Sequence, residues 1–401
     1  MKLLLLNQFF HPDHSATAQL ATDLAEDLAA AGHRVTALAS RGVYLGGAPL
    51  PAREHHRGVE IVRVRATSLG KASLPRRLAD YLTFLAAAAA RALTLPRADV
   101  VVAMSTPPLV ATVGALHHLL RGSRFVYWLQ DVYPELAVEF GLVRRGGLAA
   151  RAFDLVSRWI LRRASAVVVL GEAMAARVEA KGVARARIHV VPNWADGEAI
   201  RPVAPGANAF RREQGLDGKR VVLYSGNMGR AHDLSTVLGA ARLLREEREV
   251  VFLFVGDGAR RGEVEAAARE LPSIRLLPYQ PRERLAESLS AGDLHVVTQD
   301  PATLGMVEPS KLYGILAAGR PVLFVGPAAA EVGATVLREG VGEVVAPGDA
   351  PAAAAAIRRL LGRAEELGPR ARVAFEARYD RGRAVGAFEA VLRSVREEAR
   401  P

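Results

Sequence analysis

Ser310 and Lys311, within GMVEPSKLYGILAAGRPVLFV over residues 305–325, bring together residue types that could grip a phosphate. A turn, a serine placed to cap a helix, a lysine one residue on, a short helix stopped by Gly319 and an apolar strand follow in order. A helix N-terminus carries unpaired N–H groups and partial positive charge, so Ser310 and Lys311 there would form a site for the oxygens of a diphosphate. An ordinary capped helix in an α/β domain accounts for the same residues equally well.

Four further constellations carry chemistry. In VLYSGNMGRAHDL, residues 222–234, Gly226 and Asn227 follow a strand, and Arg230 precedes a helix expected near Asp233. Glycine lets backbone approach a phosphate and arginine can bind it with two parallel hydrogen bonds; the plain alternative is a tight turn with a solvated arginine. In LFVGDGARRGEVE, Gly256 and Asp257 form a nucleotide-domain-like turn without the full G-x-G-x-x-G spacing, and Arg260 and Arg261 read as solvated helix charges. In YWLQDVYPELAVEFG, Gln130 and Asp131 follow a strand and precede Glu135, so the Asp131 carboxylate could accept a hydroxyl or act as a base, or could simply cap a helix. In NQFFHPDHSATAQL, a long loop presents His11, Asp13, His14, Ser15 and Thr17; amides at the helix start could meet phosphate, and His11 or His14 an acceptor. That loop has no recognised metal-ligand spacing, and D-x-D is absent from the chain, which disfavours a transferase relying on a D-x-D-bound metal.

These residues must be positioned by alternating strands and helices, the pattern of parallel α/β sheets. Expected strands are 2–6, 34–39, 59–64, 100–103, 125–129, 166–170 and 188–191, then 220–225, 250–255, 274–277, 294–298, 321–325 and 343–345. Leu20, Leu24 and Leu28 mark an amphipathic helix stopped by Gly32, and two last helices are expected near 350–361 and 383–396. The segment PNWADGEAIRPVAPG, residues 192–206, reads as an interdomain linker. Two doubly wound domains follow: 1–195 on the acceptor side, 196–378 binding nucleotide, and a closing helix over 379–401 that packs back on the first. Ligands bind beyond the carboxyl ends of parallel strands, and polar and Gly residues there in both halves suggest one cleft between facing domains.

A chain of 401 residues with half its residues hydrophobic and 24% charged fits two globular cores. The absence of cysteine excludes disulfides and thiolate chemistry and suits a reducing compartment. No apolar run is long enough for a signal peptide or membrane span, so the expectation is a cytoplasmic protein, with attachment to the inner face of the cell membrane left open. A formal charge of +11 favours an anionic partner, but no nucleic-acid recognition motif accompanies it. Arg76 and Arg77 beside Leu78, Tyr81, Leu82, Phe84 and Leu85, with Arg144, Arg145, Arg151, Arg158, Arg162 and Arg163, could rest on an anionic membrane or hold a lipid-linked phosphate; a half-buried helix with solvated arginines is the alternative.

With these residues in view, the chain resembles the family 4 glycosyltransferases of the GT-B fold, in the bacterial branch for exopolysaccharide, O-antigen and colanic-acid-type sugars. The matching pieces are NQFFHPDHSATAQLATDLAEDLAAAGHRVTALAS, YWLQDVYPE, VVPNWAD, YSGNMGRAHDL, FLFVGDG and VEPSKLYGILAAGRPVLF, in family order over nearly the whole length. The resemblance implies retaining transfer of a sugar from a nucleotide diphosphate, UDP-linked by preference, to a glycan or polyprenyl-diphosphate-linked acceptor, with no metal or other cofactor. It implies a catalytic set of Asp131, Arg230, Lys311 and Glu308. Donor contacts would come from Ser15, Gly226, Asn227, Gly256, Asp257, Pro309 and Ser310, and acceptor contacts from His11, His14, Gln130 and Glu135.

The sequence also departs from the family pattern. Its paired glutamates would fall on Met306 and Gly314; Glu308 is near enough to replace the first, and nothing replaces the second. Asp233 stands near an expected lysine, and Gln130 where a histidine is usual. A nucleotide-sugar epimerase on the same fold and a non-catalytic nucleotide-binding relative are the competing readings. An NAD-dependent dehydrogenase is disfavoured, because the first strand leads to a loop without G-x-G-x-x-G.

Overall fold

The computed structural model describes residues 1–44, 46–70 and 74–397. Parallel strands covered on both faces must be apolar along their length, and the strand sequences are: VVVA, AVVV and VVFLFV are buried at every position. The chain divides into two compact units, Met1–Pro192 with the chain from Gly382 onward, and Asn193–Arg381.

The first unit holds eight strands: β1 (Lys2–Leu6), β2 (Arg34–Ser40), β3 (Arg53–His56), β4 (Val59–Val64), β5 (Val100–Ala103), β6 (Arg124–Trp128), β7 (Ala166–Val169) and β8 (Ile188–Val190). Their order is β3-β4-β2-β1-β5-β6-β7-β8. Every pairing is parallel except β3 with β4. The second unit holds β9 (Arg220–Ser225), β10 (Val250–Val255), β11 (Ile274–Leu277), β12 (Leu294–Thr298), β13 (Val322–Val325) and β14 (Gly342–Val345), in the order β11-β10-β9-β12-β13-β14. Alternation along each strand feeds two layers: Val222 and Tyr224 of β9 pack with Phe252 and Phe254 of β10 on one face, while Val221 and Leu223 pack with Val251 and Leu253 on the other. Strand order reverses between β1 and β5 and between β9 and β12, so each sheet has a crevice at the carboxyl end of its first strand.

Three expectations need correction. Strand β3, REHH, was not anticipated; as an antiparallel edge strand with alternating exposure it needs no apolar run. Three helices, not two, close the chain: Ala350–Gly362, Ala364–Arg378 and Arg381–Glu397. The segment read as a linker is packed onto the second unit from Asn193 on: Trp194 is buried, Ile200 joins the core beneath the helix Lys311–Ala317, and the Gly197 amide donates to Asp380.

The helix Arg381–Glu397 lies with the first unit, where Phe388 is fully buried and meets the Trp128 ring edge-on at 4.9 Å. His33 links it further through Nε2, 2.8 Å from Glu389. Residues 398–401 of the expected closing helix lie outside the described residues. Phe388→Ala should lower the stability of this unit by about 3–5 kcal/mol. Denaturant unfolding followed by tryptophan fluorescence would measure it, and a change below the resolution of that titration would remove the helix from the core.

Candidate functional site

The second unit's crevice is built by three glycines. The Gly226 amide donates to Val255 O at 2.8 Å and the Met228 amide to Asp257 O at 2.8 Å, so the loops after β9 and β10 run backbone against backbone. A Cβ on Gly256 (φ 136°) would sit 2.2 Å from Gly226 O, and one on Gly258 (φ 150°) 2.5 Å from Met228 O. The G-D-G turn is therefore demanded by loop packing. A Cβ on Gly226 (φ 125°) would lie 3.4 Å from Lys311 Cε and 3.7 Å from Nζ, which places the lysine directly over that loop.

Lys311 opens the helix Lys311–Ala317. Its Nζ stands 3.7 Å from the centre of the Tyr224 ring, is shielded from water, and has no hydrogen-bond partner among the described residues. Burial pushes its pKa down to about 7. Tyr224 is itself buried, and its hydroxyl donates to Asn227 O at 2.8 Å. His232 meets the edge of that ring, binds Thr298 O through Nδ1 at 2.7 Å, and is driven down to about 3 by burial and by Lys311. Tyr224 and His232 are site residues that the sequence reading passed over. Their signal was present: one lies within a buried strand and the other in the same segment as Arg230.

Ser310 occupies the N-cap position, but its backbone is helical (φ −69°, ψ −13°) and its side chain makes no capping hydrogen bond, which corrects the expected cap. Gly319 (φ 62°) stops the helix, its amide donating to Leu316 O. Pro309 is buried between Ser310 and Glu308. Both Glu308 carboxyl oxygens are shielded and unpartnered among the described residues. Burial, and then the Glu331 carboxylate, raises Glu308 to about 8, so it carries its proton at neutral pH. Position 314 faces Leu289 and Ile200, at 3.3 and 4.0 Å from a Cβ built there, so no ligand-facing carboxylate can stand at that point.

Arg230 and Asn227 lie exposed on the loop after β9. The Asp300 amide donates to Ala231 O at 2.8 Å, joining that loop to the end of β12. Asp257 Oδ1 accepts the Gly258 amide at 2.7 Å. The helix expected near Asp233 begins at Ser235, and Asp233 accepts hydrogen bonds from Ser235 and Thr236.

In the first unit, Gln130 and Asp131 share an anchor, both amides donating to Ser105 Oγ, at 3.1 and 3.0 Å. The following helix, Glu135–Glu139, is capped at Pro134, so Asp131 is no helix cap. Burial lifts Asp131 to about 6. Glu135 instead binds the buried Lys181 at 2.8 Å, and Lys181 also holds Asp154 at 3.0 Å. The loop 7–15 joins the same crevice through the Gln8 amide, which donates to Thr106 O at 2.8 Å. Asp13 ties the loop by accepting the amides of Ser15 and Tyr44. Ser15 stands at the N-cap of the helix Ala16–Ala30 with its Oγ shielded and unpartnered among the described residues. His11 stacks on His56, and His14 is exposed with its carbonyl accepting from Gln19. Among the described residues no group of three or more His, Asp or Glu could hold a metal ion.

The depressed Lys311 has a measurable consequence. Between about pH 7 and the value of 10.5 for a free lysine, the unfolded chain binds a proton that the folded chain lacks, so stability should climb with pH over that window. Lys311→Met should flatten the climb and stabilise the ligand-free protein near neutral pH. Urea unfolding of both proteins across the window tests this, and parallel curves would refute it.

The model of the glycosyl transferase 4-like domain matches residues 16–194, and that of the glycosyl transferases group 1 matches residues 219–363. The probable glycosyltransferase WbjE of Pseudomonas aeruginosa is 31% identical over 267 residues, 66% of each chain. The putative colanic acid biosynthesis glycosyl transferase WcaI of Escherichia coli is 31% identical over 249 residues, 60% of this chain and 61% of that one. These matches thus span slightly under two thirds of the relatives' length. Among solved structures, a sucrose-phosphate synthase from Thermosynechococcus elongatus superposes over 100% of both chains with TM-score 0.79 at 20% identity. Anabaena HepE in complex with UDP covers 98% of this chain and 100% of its own, with TM-score 0.71 at 18% identity. With two parallel sheets in two units, each containing one of the matched domains, the chain belongs to the family 4 glycosyltransferases and has the two-domain α/β GT-B fold.

Proposed function

We propose that this protein transfers a glycosyl unit, with retention, from a UDP-linked donor to a glycan or polyprenyl-diphosphate-linked acceptor in bacterial surface polysaccharide synthesis. The observation that carries the reading is the shielded, unpartnered Lys311 ammonium over the Gly226 loop. A cation held without an anion beside it in a crevice with little water gives strong stabilisation to negative charge that builds there, as on a departing diphosphate. Arg230 on the exposed loop adds a second cation, and protonated Glu308 offers a hydrogen-bond donor to a sugar hydroxyl. Asp131, at the first unit's crevice, receives the incoming hydroxyl. Charge on the leaving group is met by these side chains, with no metal ion required. Support comes from the HepE structures with UDP and with UDP-glucose, and from the polysaccharide role in the WcaI name.

UDP should raise the melting temperature, and the matching UDP-sugar should be consumed with release of UDP only when acceptor is present. Lys311→Ala and Arg230→Ala should each lower turnover by about a hundredfold or more; unchanged kinetics in both would sink the assigned roles. Consumption of donor without acceptor would identify an epimerase, and a thermal shift without turnover a binding protein.

The acceptor is proposed to be met at an anionic bilayer. Leu78 and Leu82 are exposed on the helix Leu74–Thr94 and Leu148 and Leu155 on the helix Leu148–Arg163, beside the exposed Arg76, Arg144, Arg151 and Arg162. Among the described residues no helix is long and apolar enough to cross a membrane. The protein should sediment with vesicles containing phosphatidylglycerol and lose that binding when Leu82 and Leu155 are both changed to Glu; equal recovery with neutral vesicles would refute the electrostatic part.

A further inference from the structure

The loop 7–15 is held by an element that the sequence pattern did not reveal, the edge hairpin β3–β4. Arg63 of β4, fully buried, donates to His11 O at 2.6 Å and to Pro51 O at 3.2 Å, and pairs with Glu54 of β3 at 2.7 Å. From the other side, the His11 amide donates to Thr22 of the helix Ala16–Ala30 at 3.1 Å. Between these fixings the His11 ring lies flat on the ring of His56, with centres 3.6 Å apart and planes 14° from parallel. His56 Nε2 is in turn 2.9 Å from Glu26, whose other carboxyl oxygen accepts from Arg57 at 3.2 Å.

We infer that His56 is a positioning residue for the loop 7–15: its ring, oriented by Glu26, sets where His11 and the neighbouring amides stand. The inference rests on the reading of that loop as part of the ligand-binding edge. Two neutral imidazoles, or one neutral and one charged, stack favourably; two imidazolium ions face to face repel. The charged groups around the pair are Glu26 from the helix, Glu54, Arg57 and Arg63 from the hairpin. His56 has the Glu26 carboxylate against it, 2.9 Å from Nε2. For both rings to be charged a proton must enter His11, whose affinity for it is lowered by burial, by His56 and by Arg63, against an opposing pull from Glu54 and Glu26. Acid therefore pushes the rings apart and loosens the loop, and His56 is the residue through which this happens.

The experiment is hydrogen exchange of the amides of residues 7–15 in the full chain, corrected for intrinsic rate, from about pH 7 to about pH 5, the window in which histidine changes charge. It is run beside measurement of KM and kcat with UDP-sugar. In the wild type, protection should fall roughly tenfold across the window, with KM rising more than kcat falls. His56→Phe keeps a ring for the stack but takes no proton, so protection should be retained and its pH dependence lost. His56→Ala should lose protection at both ends. If wild type and His56→Phe fall in parallel, or if His56→Ala stays fully protected, the assignment is wrong. The expected exchange pattern without any sugar transfer would uphold the role of His56 and defeat the transferase reading instead.

Discussion

Taking an ammonium out of water costs several kcal/mol unless other groups replace the lost hydration, and Lys311 Nζ has no hydrogen-bond partner among the described residues and stands over the face of the Tyr224 ring at 3.7 Å. A cation–π contact recovers about 2 kcal/mol at most in a desolvated setting, so the ammonium remains under-satisfied. The rest of the second unit's edge keeps it in that condition. The Gly226 loop is clamped against Gly256 and Gly258 by contacts that no side chain could occupy, and Tyr224 is fixed by its hydroxyl to Asn227 O. His232, pressed against the same ring and bonded to Thr298 O, stays neutral, so no second positive charge from it competes at the spot. A buried charge left without a partner persists in a folded protein only when its surroundings hold it there, and groups with strongly perturbed pKa values cluster at functional sites.

The first unit distributes its polar groups differently. Glu135 and Asp154 share the ammonium of Lys181 within hydrogen-bond distance, a network that fixes the Gln130–Glu135 turn to the helix Leu148–Arg163. Asp131, a few residues away, is lifted toward neutrality by burial, with its amide tied to Ser105. Two carboxylates in one turn thus have opposite fates, one neutralised by a cation and one left to hold or release a proton near pH 6.

Much of the fold could be read along the chain because parallel strands covered on both faces are apolar runs with little else they could be, as in VVFLFV and VVVA. What escaped the reading escaped for physical reasons. REHH is polar because an edge strand can be. The helix Ala364–Arg378 contains Gly368 and Pro369, ordinary punctuation marks, yet Gly368 is there because a Cβ would meet Gly319 O at 2.6 Å. PNWADGEAIRPVAPG has a linker's composition, but Trp194 and Ile200 find burial that only the tertiary structure supplies. At the candidate site, residue types near the ends of β6, β9 and β10 were legible, whereas the partners were not. The contact of Tyr224 with Lys311 spans 87 positions, and that of His11 with His56 depends on a hairpin register that no local pattern encodes.

Because the first unit is built from residues 1–192 plus the chain after 382, its core is interrupted in sequence while that of the second is continuous. Phe388 reaches Trp128 only after the whole of the second unit has been synthesised. On a growing chain the later unit can therefore complete its core first, and the earlier one must wait, with its hydrophobic seam open, for the helix Arg381–Glu397 to arrive.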